Sequence, residues 1–223
     1  MINLAICGLH GVMGTVLQFE LEENTTFHLL GGLSPRRKRV GEEFDASPDV
    51  VIDFSNPVNL DFLIDYAKAN HAALVICTTG YTEEQLEQIQ AAGEFIPVLF
   101  SANTSLGVNA FHKALRCVSG MFKDFDISII EKHHNKKKDA PSGTAKRLAQ
   151  DITETTGRTD IDIHSIRGGS IPGEHTVLFA GEDELFELKH TALSKKIFAK
   201  GALKLAEKMT QLPNGFYTTE EVF

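Results

Sequence analysis

The stretch Ile2-Asn3-Leu4-Ala5-Ile6-Cys7-Gly8-Leu9-His10-Gly11-Val12-Met13-Gly14 decides the fold class. It begins as an apolar run of strand length and passes into a glycine cluster, after which Met13, Val16, Leu17 and Leu21 recur at helical spacing. Strand, glycine turn and helix make a first βα unit. Further strand patterns at Phe27–Leu33, Val50–Phe54, Ala73–Cys77 and Pro97–Phe100 alternate with helical patterns at Pro57–Asn70 and Thr82–Ala92. Thr82 is a natural helix cap, and Glu83 and Glu84 suit the positive end of the helix dipole. The alternation predicts an α/β fold with an N-terminal, Rossmann-like, doubly wound parallel sheet.

Beyond residue 103 the pattern changes. A helix over Val108–Met121, a strand carrying Ile127, Ile129 and Ile130, and a helix over Ala145–Ile152 precede strand patterns at Asp162–Arg167, Glu174–Ala180 and Leu185–Thr191. These predict a second, α+β domain with a mostly antiparallel sheet. The last helical pattern, Ile197–Met209, is placed to return to the first domain.

The bulk numbers narrow the function classes. A net charge of -8 argues against a general nucleic-acid binder or a binder of anionic membranes, so a local basic cluster points to a small anion instead. No run approaches the ~18 apolar residues needed to span a bilayer, and no basic, apolar leader precedes Ile2, so a cytoplasmic protein is expected. Cys7, Cys77 and Cys117 are odd in number, far apart and set in apolar surroundings, which argues against a disulfide framework or a zinc site and reads as buried thiols. No metal is expected.

In a first βα turn, missing side chains let the backbone approach a pyrophosphate, and the helix start supplies free amides. Gly8, Gly11 and Gly14 have GxxGxxG spacing, because Leu9-His10 stands where x-Gly would be. A domain of this type that selects NAD places an acidic residue about 20 residues on, at the end of the second strand. Here Ser34 stands there, followed by Pro35-Arg36-Arg37-Lys38-Arg39. No carboxylate would repel a 2′-phosphate, and Arg36 and Arg37 offer cations to pair with it, so NADPH is favoured with NADH possible. Asp53-Phe54-Ser55, Thr78-Thr79-Gly80 and Ser101-Ala102-Asn103-Thr104 fall at the ends of further strands, along the same expected cofactor edge.

The run from Glu131 to Ala145 sets His133, His134, Lys136, Lys137 and Lys138 ahead of a helix start in an otherwise acidic chain. Histidine titrates near neutrality, as proton transfer requires, and lysine offers a compact charge for a carboxylate. Pro141 fixes the backbone, Ser142 is the expected cap, and Gly143 and Thr144 would leave free amides at the following helix terminus. Such a locus combines proton donor, cation and anion hole, which suits an acidic small substrate that gains a proton. Lys136 and Lys138 read as solvent-facing charge, and Arg167, Gly168 and Gly169 read equally as a turn or as part of a closure over substrate.

The run Glu131-Lys132-His133-His134-Asn135-Lys136-Lys137-Lys138-Asp139-Ala140-Pro141-Ser142-Gly143-Thr144 resembles the signature of the 4-hydroxy-tetrahydrodipicolinate reductase family, also called dihydrodipicolinate reductases. The similarity extends through Gly8–Gly14, Asp53–Ser55, Thr78–Gly80, Ser101–Asn109, Ser165–Gly169 and Gly173-Glu174-His175. The resemblance implies reduction of a cyclic dicarboxylate on the route to diaminopimelate and lysine, with hydride from NADPH or NADH and loss of a hydroxyl as water. It implies proton transfer by His133 and Lys137, and substrate binding by Lys137, His134, Gly143 and Thr144. Cofactor contacts carry over to Gly8, Leu9, His10, Gly11, Val12, Met13, Cys77, Thr78, Thr79, Ser101, Ala102, Asn103 and Thr104. Ser34 departs from the acidic residue of well-known members. The implied organisation is a dinucleotide-binding domain over 1–103, completed by 200–223, and a substrate-binding and oligomerisation domain over 104–199, in a homotetramer. A nucleotide-sensing regulator that binds NADP without turnover, and a semialdehyde-type dehydrogenase with a reactive cysteine, remain the competing classes.

Overall fold

The structure is a computed structural model that describes residues 1–35 and 44–223. It divides into two compact units, one of Met1–Leu106 with Lys196–Phe223 and one of Gly107–Lys195.

In the first unit, strands β1 (Ile2–Cys7), β2 (Phe27–Leu33), β3 (Val50–Asp53), β4 (Ala73–Ile76), β5 (Pro97–Phe100) and β10 (Gly215–Thr218) form one sheet in the order β10-β5-β4-β3-β1-β2. Every pairing in it is parallel. Parallel strands buried on both faces read as continuous apolar runs, and β3 and β4 are buried at every residue. Alternate side chains feed two cores. Leu4, Ile6, Ile52 and Val75 pack with Leu17 of α1 (Val12–Leu21) and with Ala202, Leu205 and Met209 of α6 (Lys196–Met209). Ala5, Val51, Leu74 and Ile76 pack with Leu60 and Leu63 of α2 (Leu60–Asn70) and with Ile89 of α3 (Glu83–Ala92). The chain steps from β1 to β2 on one side and resumes with β3 on the other, so the strand order reverses at β1. A ligand crevice in such a sheet opens at the carboxyl ends beside that reversal.

In the second unit, β6 (Asp126–His133), β7 (Asp162–Arg167), β8 (Gly173–Ala180) and β9 (Leu185–Ala192) form a sheet ordered β7-β6-β8-β9. The sheet is mixed: β6 and β7 are parallel, while the β6–β8 and β8–β9 pairs are antiparallel. One face carries Ile127, Ile129, Val177 and Phe179 against Phe111 and Leu115 of α4 (Leu106–Ser119) and Leu148 and Ile152 of α5 (Gly143–Thr156).

Two expectations change. Cys7 and Cys77 are buried, but Cys117 is exposed, because the buried residues of α4 run through Phe111, His112, Leu115 and Ser119 and leave position 117 on the outer face. Strand β10, unexpected from the sequence, pairs with β5 from Gly215↔Pro97 to Thr218↔Phe100 and extends the first sheet.

Candidate active site

Period-two alternation along β6 explains the site. Ile127, Ile129, Glu131 and His133 share the buried face, so a strand that starts by filling the core ends by pointing two polar side chains the same way. Glu131 is fully buried and its carboxylate is saturated. One oxygen accepts from His133 Nδ1 at 2.5 Å and Arg167 Nη1 at 2.8 Å; the other accepts from Arg167 Nη2 at 2.6 Å and the Ser142 amide at 3.2 Å. Burial alone would push this carboxyl up. The bonds from Arg167, Ser165, His133 and the Ser142 amide outweigh it and hold the group down at about 2.

His133 is itself buried, and burial lowers its ring below the usual 6.5 while Glu131 pulls the other way. Its Nε2 edge lies against Gly173, where an added Cβ would sit 3.2 Å from that nitrogen. The His175 ring meets it edge-on at 5.1 Å between centroids and bonds Ser142 Oγ through Nε2 at 3.0 Å. Burial, reinforced by the charge of His133, drops His175 to about 4, so it is neutral at physiological pH.

Helix α5 begins where the sequence places it. Ser142 caps it, with Oγ accepting from the Ala145 amide at 3.2 Å. The amides of Gly143 and Thr144, the first two helical residues, have no acceptor among the described residues, and no acidic side chain occupies the first turn. A Cβ on Gly143 would meet nothing within 4 Å, so this terminus is open to an anion. Lys137 closes a turn by donating its amide to His134 O at 3.1 Å, and its Nζ sits 2.9 Å from Asp139. His134 Nδ1 is buried with no partner among the described residues, an available polar atom at the same locus. Lys136 and Lys138 are exposed.

In the first unit, Gly8, Leu9, His10, Gly11 and Ser34 line a cavity of about 600 Å³ together with residues Ser55, Asn56, Val58 and Asn59 beyond β3. None of the described lining residues is acidic. Gly11 caps α1 without a side-chain bond, and the first turn of that helix carries no acidic residue, which leaves its amides free for phosphate. A second cavity of about 270 Å³ is lined by Met13, Cys77, Thr79, Ser101, Ala102, Asn103 and Thr104, with Phe54 and Phe198. Two of the expected contacts line neither cavity: Val12 is 65% exposed at the start of α1, and Thr78 is buried with Oγ1 accepting from the Ser55 amide at 2.7 Å. Thr104 and Ser101 also hold the returning chain, through Thr104 Oγ1 to Phe198 O at 2.7 Å and Thr219 Oγ1 to Ser101 Oγ at 2.6 Å. Arg36 and Arg37 lie outside the described residues.

Glu131 and His175 are functional neighbours to which the motif reading gave no role, and Arg167, open there between a turn and a closure, pairs with Glu131 instead. Strand alternation was the signal for Glu131, which stands two residues before His133.

The family model for the dihydrodipicolinate reductase N-terminus matches residues 2–104, and that for the dihydrodipicolinate reductase C-terminus matches residues 107–223. The chain belongs to the dihydrodipicolinate reductase family. A 4-hydroxy-tetrahydrodipicolinate reductase from Clostridium novyi (strain NT) is 48% identical over 197 residues, 81% of this chain and 78% of that protein. One from Clostridium tetani (strain Massachusetts / E88) is 39% identical across 99% of this chain and 96% of the other. A dipicolinate-bound dihydrodipicolinate reductase from Paenisporosarcina sp. TG-14 superposes with a TM-score of 0.83 over 100% of both chains at 26% identity. Dihydrodipicolinate reductases are NAD(P)H-dependent oxidoreductases of lysine and diaminopimelate biosynthesis, and the two-unit α/β architecture is theirs. No described helix is long and apolar enough to cross a membrane.

Proposed function

We propose that this chain reduces 4-hydroxy-tetrahydrodipicolinate to tetrahydrodipicolinate, using NADPH in preference to NADH, with His133 and Lys137 as the proton-transfer and charge-binding groups. The observation that carries the reading is the buried Glu131–His133 pair beside the open amide terminus of α5. The net change adds one hydride and one proton to the ring, while the hydroxyl leaves as water together with a hydrogen from the adjacent ring carbon. The nicotinamide, when bound, supplies the hydride.

The chain's own residues supply the rest. Gly143 and Thr144 amides, at the positive end of α5, take one carboxylate of the substrate. Lys137 exchanges Asp139 for a substrate carboxylate, and the unpartnered His134 Nδ1 adds a polar contact. His133 presents Nε2 as the proton-bearing atom, because Nδ1 is committed to Glu131. Lys137→Ala should therefore lower kcat and raise KM for the dicarboxylate, by roughly tenfold or more each, with nucleotide affinity unchanged. The test follows oxidation of the reduced nicotinamide by its absorbance with the dicarboxylate as substrate, and full activity in the His133→Gln/Lys137→Ala double variant would sink the site assignment.

Ser34 and the absence of an acidic residue among the described lining of the larger cavity support NADPH, with Arg36 and Arg37 next in sequence to receive its 2′-phosphate. Ser34→Asp should weaken NADPH by at least roughly tenfold, because like charges would face each other, and leave NADH nearly unaffected. Equal dissociation constants for the two nucleotides in the intact protein would refute the preference. Assembly as a homotetramer and a cytoplasmic location belong to the same proposal. A semialdehyde-type mechanism is disfavoured: burial pushes the Cys7 thiol up to about 12 and Cys77 well above the usual range, so neither is a ready thiolate, and the exposed Cys117 lines neither cavity.

A further inference from the structure

We propose that Glu131, gripped by Arg167, is a positioning residue that fixes the ring tautomer of His133 and ties that ring to the amide terminus of α5. The inference rests on the reading of His133 and α5 given above. Each Glu131 oxygen accepts two bonds, from Arg167 with His133 or the Ser142 amide, and Ser165 adds to them, so the carboxylate is filled to capacity. With no lone pair left for a ligand and no exposure to solvent, it acts through its neighbours rather than on the substrate.

Each bond has a consequence. An ionised acceptor at Nδ1 requires the ring proton to sit on Nδ1, so Nε2 is the atom that gains and loses the transferable proton. The bond from the Ser142 amide fixes the residue immediately before Gly143 and Thr144, so one side chain sets the spacing between the proton-transfer nitrogen and the anion-binding amides. Arg167 holds both oxygens and also donates to Asp139 O at 2.6 Å, anchoring the loop that carries Lys137. It serves a second purpose. Glu131 alone would favour the charged form of the ring, and the Arg167 charge on β7 offsets that pull. The remaining titratable groups facing the ring, His175 on β8 and Lys137 in the loop, do not favour a cation either.

Glu131→Gln tests this. A carboxamide has one acceptor and one donor end, while all its neighbours here donate, so either the His133 side or the Ser142 side meets the wrong partner. The variant should lose kcat on the order of 10²–10⁴-fold, as other orienting carboxylates do when converted to amides, with the dissociation constant for NADPH unchanged. In histidine-labelled protein, ¹⁵N shifts should report Nδ1–H for neutral His133 in the intact chain, assigned by its loss in His133→Gln, and a shift toward Nε2–H in Glu131→Gln. Wild-type turnover in Glu131→Gln, or lost turnover with the Nδ1–H form retained, would overturn the proposal. An Nε2–H ring in the intact protein would overturn it without any variant. If His133→Gln keeps full turnover while the intact chain shows Nδ1–H, the ring is positioned as proposed and it is the catalytic reading that fails.

Discussion

Replacing His133 by glutamine is expected to lower kcat by roughly 10²–10⁴-fold, the range that a positioned proton-transfer group contributes, while the dissociation constant for NADPH stays within about twofold. The split follows from placement. His133 ends β6 in the second unit, whereas the glycine turn and the cavity beside Ser34 belong to the first. A glutamine approximates the size of the ring and can still bond Glu131, so the change removes the titratable nitrogen with limited disturbance of packing. The pH profile carries a further sign. Burial holds the ring below 6.5 in the free protein, so a rate that needs the protonated ring should fall as pH rises through that lowered value in kcat/KM. A dianionic substrate raises the value in the complex, because opposite charge favours the protonated form, and the corresponding limb in kcat should lie at higher pH. His133→Gln should lack both limbs. A variant that keeps them, at whatever rate, assigns the proton to another group.

The sequence exposes what depends on local pattern. The β1–glycine–α1 unit, the Thr82 cap of α3 and the Ser142 cap of α5 were all legible, because each is decided within a few residues. Pairing between distant segments was not. Gly215–Thr218 follows Pro213-Asn214 and is too short to show a period; it becomes a strand because β5 offers its free edge, beginning with the Gly215 amide on Ile96 O. The parallel pairing of β6 with β7 has the same origin, since direction within a sheet is set by the α5 crossover rather than by composition.

The candidate site divides along the same line. His133, His134, Lys137, Gly143 and Thr144 stand close together in the chain, and their residue types announce proton transfer and anion binding. The groups that orient them come from elsewhere: Arg167 reaches Glu131 from 36 positions away, and His175 reaches Ser142 from 33. Glu131 had a local signal, the alternation of β6, but a carboxylate among lysines reads as surface charge until the strand's inner face is known. Thr78 shows how a strand end can serve the fold as well. Its hydroxyl accepts from the Ser55 amide and so holds β3 and β4 together at the edge where Ser55 lines the larger cavity.

Gly14→Ala should be among the most damaging single-methyl changes in the chain. A Cβ at this position would lie 2.2 Å from Gly8 O and 2.4 Å from Leu9 O. Both are backbone atoms of the turn and cannot swing aside as the end of a side chain would, so α1 must lift away from β1. Overpacking of this kind costs about 1–3 kcal/mol and occasionally more, which corresponds to a fall in Tm of about 2–4 °C per kcal/mol for a chain of this size. Lifting α1 also withdraws the amides at its first turn from the cavity they border, so NADPH affinity should drop by roughly a hundredfold. Gly8→Ala should do as much through a different cause, since Gly8 adopts φ +87° and a Cβ there would sit 2.2 Å from Phe54 O. Calorimetry on the two variants, with NADPH and with dipicolinate as separate ligands, distinguishes the possibilities. Loss of NADPH binding with dipicolinate binding retained places the phosphate cradle at this turn and the acid-binding locus elsewhere. Undiminished NADPH affinity in a destabilised Gly14→Ala protein would mean that the glycines serve only the packing of α1 on β1, and that the cofactor is held by the cavity's other walls.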